Sequence, residues 1–472
     1  MIKKILFIFC AMLFFSCDVE KDKTADPKVR TFWAYDFVRD ADYMLQASLL
    51  AEGLYCKVWA ENGSGINGIT ARSVANVYDS QIRGKIIDVF SLKDFDYEVY
   101  SLIFFSDAME LADLLADGDE KLCILLLDIK DGYERGKNNS YVEGYFWPGD
   151  LFARAHSNYS DMIYIDTYPG TPGSKTSNMT LAHEMQHLIN YVTSVILRES
   201  PMDLWINEGL SSAAEWVYSG EHPSDKLGWF NDKRTLIDLG NNFFVWGNRE
   251  EESQYAALGD YATVYLFFQW LRLQSGGTSV YSDISASRYY DHRAVTDAID
   301  SAVPEDYSDW ATLLKTWLAA NYINADNGPY GYKSDPALKN VKAPLAPADI
   351  PKTIPLYPGE GVYSTIPNDF IWPSAGTNIR YASLNEDKTF PEVGSNSVKD
   401  WVLLTYNINT NYAGEIGGPE PGTITGVPAP ASADTAPNWR SASTSPLRID
   451  ANDLLRRNGR DRFFSQLPDI GR

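Results

Sequence analysis

The residues best suited to chemistry lie in the stretch Leu181–Leu188, which reads Leu-Ala-His-Glu-Met-Gln-His-Leu. On a helix, His183 and His187 lie one turn apart on the same face, so both imidazoles can bind one metal ion. The carboxylate of Glu184 lies beside them, where it can take a proton from water bound to that metal. Chance would place this pattern in roughly one chain of this length in a hundred, so the surrounding sequence must decide whether it is a site.

A second predicted helix supplies a third metal ligand. It runs from about Ser200 to Tyr218, with an N-cap serine followed by proline at its start and Gly220 at its end. Twenty residues separate His187 from Glu208, enough for a turn that brings the second helix back against the first. Two histidines and one carboxylate leave a fourth position open, as in catalytic rather than structural zinc sites. Glu215, two helical turns beyond Glu208, is interpreted as a residue that orients a ligand histidine, and the reverse assignment of these two glutamates is the alternative.

The motif helix and one later helix also have predicted ends. The motif helix is expected to begin with Thr180 as its N-cap and to continue to about Leu197. A later helix is expected from Tyr261 to Leu273, with Asp260 as its N-cap and Gly276-Gly277 as its stop. Both have enough apolar residues to be packed in a core.

The combination of motifs resembles the gluzincin metallopeptidases. The stretch Asp203–Gly209 (Asp-Leu-Trp-Ile-Asn-Glu-Gly) is similar to the corresponding helix of aminopeptidase-N and leukotriene-hydrolase relatives. The overall layout resembles still more the hyicolysin family of secreted bacterial neutral metallopeptidases. That resemblance covers about residues 31 to 325 and rests on four segments. They are the HExxH octet, Gly144-Tyr-Phe-Trp147, Trp205–Glu208 and Tyr261–Trp270. It implies an α+β, zincin-like catalytic domain with an N-terminal mixed sheet, an active-site helix, a helical lobe and one zinc ion.

The resemblance also implies a role for a tyrosine. In the aminopeptidase-like relatives a tyrosine begins a helix similar to that of Tyr261 and donates a hydrogen bond to the developing oxyanion. Tyr261 matches that place, Tyr255 and Tyr265 are the other candidates, and a tyrosine packed in the core is the alternative interpretation. Those relatives also carry a Gly-x-Met-Glu-Asn loop that holds a free amino terminus. No such motif occurs here, which favours cleavage of internal peptide bonds.

The N-terminus is typical of an exported bacterial protein. Residues 1–16 have two lysines followed by an apolar run too short to span a bilayer, which indicates a signal peptide. Phe14-Phe15-Ser16-Cys17 resembles a lipobox, which predicts a lipid on Cys17, a flexible tether over 18–30 and attachment to the cell envelope. An ordinary cleaved signal with an incidental cysteine is the alternative.

The region before the motif is predicted to alternate strands and helices. We expect helices at Asp40–Glu52 and Ala108–Ala116, a buried central strand at Leu122–Ile129 and an edge strand at Ser160–Asp166. Cys56 and Cys123, the only cysteines in the mature body, are interpreted as two buried thiols rather than as a disulfide. His156, His222 and His292 lack metal-ligand spacing and are interpreted as surface histidines.

The C-terminal part is predicted to consist of the end of the catalytic domain, a small module, a linker and a tail. Helices at Arg293–Ala302 and Asp306–Ile323 complete the helical lobe, so the catalytic domain spans 31–328. A small β-rich module follows at 329–412, then a Gly/Pro/Ala-rich linker at 413–446 and a tail at 447–472.

The composition restricts the class of macromolecule that the chain can bind. The formal net charge of −22 argues against nucleic acid, because phosphate binding needs a basic face. These observations predict a zinc-dependent metalloendopeptidase that acts on protein or peptide substrates, with the oligomeric state left open. The alternatives are a surface lipoprotein that binds proteins through a protease-like scaffold, and an aminopeptidase.

Overall fold

The computed structural model describes most of the chain between residues 28 and 411. The described ranges are 28–91, 121–346, 355–365, 378–384, 402–411, 422–423 and 447–449, with short gaps at 138–139, 152–154, 197, 199, 242–243, 245–248, 250–252 and 254. The predicted signal segment, Cys17, most of the tether and the predicted helix Ala108–Ala116 lie outside these ranges. Among the described residues, none of the helices combines the length and apolarity needed to cross a bilayer.

The N-terminal half forms a six-stranded mixed sheet, as expected. Its strands are β1 (Val29–Asp36), β2 (Ala41–Glu52), β3 (Cys56–Glu61), β4 (Leu122–Leu127), β6 (Gly144–Phe146) and β7 (Met162–Asp166), while β5 (Ser140–Val142) lies outside it. Their order is β1-β2-β3-β4-β7-β6, with β3, β4 and β7 parallel and the other pairs antiparallel. Every residue of β4 is buried, which explains its continuous apolar sequence.

The predicted edge strand is not at the edge. Residues Met162–Asp166 do form a strand, but the three-residue strand β6 pairs along its outer side, so β6 is the edge on that side of the described sheet. A strand of three residues is too short to give a periodic sequence signal. Cys56 and Cys123 are both buried and no disulfide joins them, which confirms that prediction.

The helix predicted at Asp40–Glu52 is wrong, because Ala41–Glu52 is the strand β2. The apolar spacing that suggested a helix includes Met44, which is 63% exposed, whereas Leu45 and Ala47 are buried on the core face of the strand. β2 forms a hairpin with β1 and pairs with β3 on its other side. Pairing on both sides therefore outweighs the local helical pattern.

The helices pack on the sheet and on one another. They are α1 (Gly68–Val77), α2 (Arg83–Phe90), α3 (Lys175–Asn190), α4 (Leu204–Ser219), α5 (Ser224–Phe230), α6 (Ala256–Ser275), α7 (Ser279–Ala286), α8 (His292–Ala302) and α9 (Trp310–Ile323). α3 contacts β6, β7 and α4, and α4 in turn packs on α6. α6 is the centre of this lobe, since every residue from Ala256 to Arg272 is buried.

Helix ends were predicted better than helix starts. Gly220 and Gly276 end α4 and α6 with positive φ angles of 68° and 81°, a backbone region that favours glycine. The motif helix begins after Ser174, whose side chain accepts the Ser177 N–H at 3.2 Å, and it continues as a π-helical turn at Tyr191–Ile196. The predicted N-cap Thr180 is therefore wrong.

The starts predicted for the next two long helices are also wrong. α4 begins at Leu204, after Asp203, so Ser200 is not its N-cap. α6 begins at Ala256, before the predicted Asp260. In the helical lobe, α8 confirms the helix predicted at Arg293–Ala302. α9 confirms the second predicted helix, although it begins at Trp310 rather than at the predicted Asp306.

A small antiparallel sheet follows the helical lobe. Its strands are β9 (Gly361–Thr365), β10 (Ile379–Leu384) and β11 (Val402–Asn407), in the order β10-β11-β9, with short strands β8 (Pro355–Leu356) and β12 (Gly422–Thr423) beside it. The sheet packs on α9, where the Tyr363 hydroxyl donates a hydrogen bond to the Leu318 carbonyl at 2.7 Å. The α+β class, with its mixed sheet, motif helix, helical lobe and small β-sheet, is thus confirmed. The boundaries of the β-rich module, linker and tail stay predictions.

The packing of α4 on α6 generates a prediction about Gly209. A Cβ atom at Gly209 would lie 2.2 Å from Phe268 Cε2, so the two helices can approach only because this residue has no side chain. Gly209→Ala should lower the free energy of unfolding by about 1–3 kcal/mol through overpacking. Gly84→Ala is the matched control, because Gly84 is helical and a Cβ atom there would have nothing within 4 Å. The control should be neutral or slightly stabilising, and equal thermal unfolding of both variants would contradict this packing role for Gly209.

Candidate metal centre

Three buried side chains from two helices converge at one point. His183 and His187 extend from α3 and Glu208 extends from α4, with exposed fractions of 2%, 3% and 0%. Glu208 Oε2 lies 3.5 Å from His183 Nε2 and 3.5 Å from His187 Nε2. The three potential ligand atoms all lie within 4.8 Å of one another. Among the described residues, these three side chains are the one group of His, Cys, Asp and Glu close enough to share a metal ion.

The donor set and its spacing fit a zinc ion. Zinc binds imidazole nitrogen and carboxylate oxygen at about 2.0–2.2 Å in tetrahedral sites, which puts neighbouring ligand atoms about 3.4 Å apart. The two observed separations of 3.5 Å match that spacing and exceed the usual range of an N–H···O hydrogen bond. His183, His187 and Glu208 could therefore hold the metal with a fourth position left for a reactant.

The outer nitrogen of His183 contacts a buried ion pair. Its Nδ1 lies 2.9 Å from Glu215 Oε1, and the same oxygen lies 3.0 Å from Lys226 Nζ. A carboxylate can only accept, so Nδ1 carries the proton and donates it. That tautomer presents the Nε2 lone pair towards Glu208, as metal binding requires.

The outer nitrogen of His187 contacts neutral groups instead. Its Nδ1 lies 3.1 Å from Asn207 Oδ1 and 2.9 Å from Ser211 Oγ. Asn207 Oδ1 also accepts from Asn190 Nδ2 at 2.6 Å, and Ser211 donates to Gln186 Oε1, so both atoms act as acceptors towards Nδ1. His187 therefore has the same tautomer as His183.

Sequence reasoning found some of these residues and missed others. Glu215 lies against His183 Nδ1 and not against both Nε2 atoms, which favours Glu208 rather than Glu215 as the third ligand. Asn207, Ser211 and Lys226 were not singled out. The signal for the first two was their helical spacing, since Asn207 and Ser211 lie four residues apart on one face of α4. Nothing local distinguishes Lys226 from a solvated lysine.

The candidate base and the candidate tyrosines differ in their surroundings. Glu184 is buried on α3 between the two histidines in sequence. Tyr261 is 2% exposed, and its ring centroid lies 5.7 Å from Lys226 Nζ. The hydroxyl of Tyr265 lies 2.6 Å from His222 Nδ1, which directs it away from an oxyanion role. Tyr255 precedes α6 and stacks with the Arg234 guanidinium, 4.7 Å from its ring.

The remaining histidines are outside the ligand group. The interpretation of His222 as a surface residue is wrong, because its side chain is 5% exposed and Nε2 lies 3.2 Å from an Asp335 carboxylate oxygen. Burial lowers the pKa of His222, which favours its neutral form between these partners. The side chain of His156 is 52% exposed, as expected for a surface histidine, and contacts Asp42 at 2.9 Å.

A pocket of about 60 Å³ adjoins the centre on the His187 side. Its wall is formed by the edge strand, the C-terminal end of the motif helix and the segment before α4. Phe146, Tyr191, Val195 and Met202 supply apolar surface, and Asn207 supplies an amide. The pocket could therefore take an uncharged side chain next to the metal centre.

Comparison with known proteins points to the same chemistry. No protein-family model matches the chain. The chain is 27% identical over 336 residues to neutral metalloprotease ShpI of Staphylococcus hyicus, a stretch that covers 69% of each protein. Together with the buried His183, His187 and Glu208 group, this similarity supports a relationship with metallopeptidases.

Because three candidate ligands converge at one point, removing one of them should weaken metal binding. His187→Ala removes one of three donors, so the purified variant should retain much less than one metal ion per chain after dialysis against dilute zinc. His156→Ala is the control and should retain the wild-type amount, because His156 lies outside the group. Elemental analysis of both variants measures the result, and equal metal content would contradict the assignment.

Proposed function

We propose that the chain is a zinc-dependent metalloendopeptidase that hydrolyses internal peptide bonds of extracellular proteins. The observation that carries this proposal is the convergence of His183, His187 and Glu208 at ligand spacing, with Glu184 on the same helix. The similarity to a neutral metalloprotease supports it independently of the geometry.

The chain's residues have separate parts in the reaction. A bound zinc ion would supply Lewis-acid activation of water and of the scissile carbonyl. Glu184 takes a proton from the attacking water and later delivers it to the leaving amine. Tyr261 donates a hydrogen bond to the oxyanion that develops on the substrate, which adds no net charge to the site.

The edge strand offers a place for an extended substrate. β6 is the outermost described strand on its side of the six-stranded sheet, and it packs against α3. Edge strands bind extended peptides through main-chain hydrogen bonds, with alternate side chains entering neighbouring pockets. The pocket beside Phe146 and His187 then receives one of those side chains. A peptide that passes along a strand continues on both sides of the cut bond, which favours an endopeptidase.

Glu184→Gln tests the mechanism. The variant keeps the three candidate metal ligands, so zinc content should stay at the wild-type level, while casein hydrolysis should fall about a hundredfold to ten-thousandfold because the base is lost. Glu305→Gln is the matched control, since Glu305 is exposed on a loop, and it should keep wild-type activity. If Glu184→Gln digests casein as well as wild type, the assigned base is wrong. A wild-type chain that binds no zinc would favour the protein-binding scaffold instead.

Blocked peptides distinguish an endopeptidase from an aminopeptidase. The sequence lacks the Gly-x-Met-Glu-Asn loop that would hold a free amino terminus. We therefore expect a peptide and its N-acetylated form to be cleaved at the same internal bond with similar kcat/KM. Stepwise loss of residues from the free peptide, with the acetylated peptide intact, would favour the aminopeptidase.

We also propose that the protein is exported and anchored by a lipid on Cys17. The support is the lipobox-like sequence Phe14-Phe15-Ser16-Cys17 after an apolar run. An extracellular location agrees with a substrate class of extracellular proteins.

A further inference from the structure

Lys226 is a buried lysine at the back of the metal centre. It lies on α5, and its side chain is only 2% exposed. Its Nζ atom lies 3.0 Å from Oε1 of Glu215, a residue with 0% exposure. Lysine is almost never fully buried unless it is paired, so this position requires the carboxylate.

The contact continues from Glu215 to a proposed metal ligand. The Glu215 oxygen that contacts Lys226 also lies 2.9 Å from His183 Nδ1. One carboxylate atom thus joins the ammonium group to the ring whose opposite nitrogen faces Glu208. Because all three side chains are at most 2% exposed, water competes little for these contacts.

Aromatic rings hold the lysine from other directions. Its Nζ atom lies 5.6 Å from the ring centroid of Trp229 and 5.7 Å from that of Tyr261. Cations are attracted to aromatic faces at this range, and rings confine the ammonium without competing for Glu215. The lysine is therefore fixed by three elements, α4, α5 and α6.

We propose that Lys226 is a positioning residue for metal binding, which it promotes by fixing the carboxylate of Glu215 against His183 Nδ1. This inference rests on the proposed function, since it takes His183 as a metal ligand. Lys226 touches neither metal nor substrate. Without it, Glu215 loses the partner that holds Oε1 at the histidine ring, and the ring loses its fixed orientation and tautomer.

The direction in which zinc affinity changes when Lys226 is removed distinguishes a positioning role from simple charge repulsion. A lysine acting only as a nearby cation would oppose a divalent metal, so its removal would tighten binding. A lysine that positions Glu215 has the opposite effect, because its removal weakens binding. Lys226→Met should therefore lower zinc affinity about tenfold or more, measured on the full chain by competition with a chromophoric chelator.

A double-mutant cycle tests whether Lys226 acts through Glu215. Glu215→Gln alone should also weaken zinc binding about tenfold or more. Adding Lys226→Met to that variant should change the affinity less than twofold, since the carboxylate that transmits the effect is already gone. Independent effects that multiply in the double variant would overturn the proposal.

One control variant and one fallback complete the experiment. Lys121→Met removes a partly exposed ion pair with Glu52 and should leave zinc affinity unchanged. Lys226→Met could fail to fold because it leaves Glu215 buried without its cation, and the double variant then decides, since it carries neither charge. It must bind zinc within about twofold of Glu215→Gln, and tighter binding than that single variant, as expected of a merely repelling cation, would overturn the proposal.

The outcomes also separate this inference from the proposed function. Folded Lys226→Met with wild-type or tighter zinc binding overturns the role of Lys226 and leaves the metallopeptidase assignment intact. A wild-type chain that binds no zinc overturns the assignment itself.

Discussion

The site depends on one carboxylate that two histidines share. Glu208 Oε2 lies at equal distances of 3.5 Å from the two Nε2 atoms, although it comes from a different helix than the histidines. Burying an ionised carboxylate is costly unless a cation balances it. A divalent metal between the three groups would supply that balance, so metal binding and the stability of the α3–α4 contact are expected to be linked.

Close backbone approaches hold these helices at the required distance. A Cβ atom at Gly209 would collide with Phe268, and one at Gly144 would lie 2.8 Å from both Thr180 Cγ2 and the Tyr164 carbonyl oxygen. The first glycine lets α6 support α4 directly beside the candidate ligand Glu208. The second lets the edge strand approach the motif helix, which brings a candidate peptide-binding edge next to the candidate metal ligands. The geometry of the candidate ligands and the access to them thus both depend on glycines, which have no side chain at these two contacts.

Local patterns in the sequence predicted the candidate ligand group and the contact of Glu215 with one of its histidines, but not the other groups around it. The spacing of His183, His187 and Glu208 follows from helical periodicity, and helix ends such as Gly220 follow from backbone conformation, so short stretches are sufficient. The strand Ala41–Glu52 was mistaken for a helix because only pairing with distant strands distinguishes the two. Lys226 was missed because its burial depends on Glu215 in another helix, and isolated lysines are usually exposed.

The two candidate ligand histidines contact different kinds of partner, and the kind differs between the buried side and the pocket side of the centre. His183 is fixed by the Glu215–Lys226 ion pair on the closed side, where both charges are buried and their attraction is little screened by water. His187 is fixed by the uncharged side chains of Asn207 and Ser211, and Asn207 also lines the open pocket. A charged partner there would be screened by solvent and would repel or attract passing side chains. Neutral partners set the tautomer of His187 while leaving the pocket suited to an uncharged side chain of the substrate.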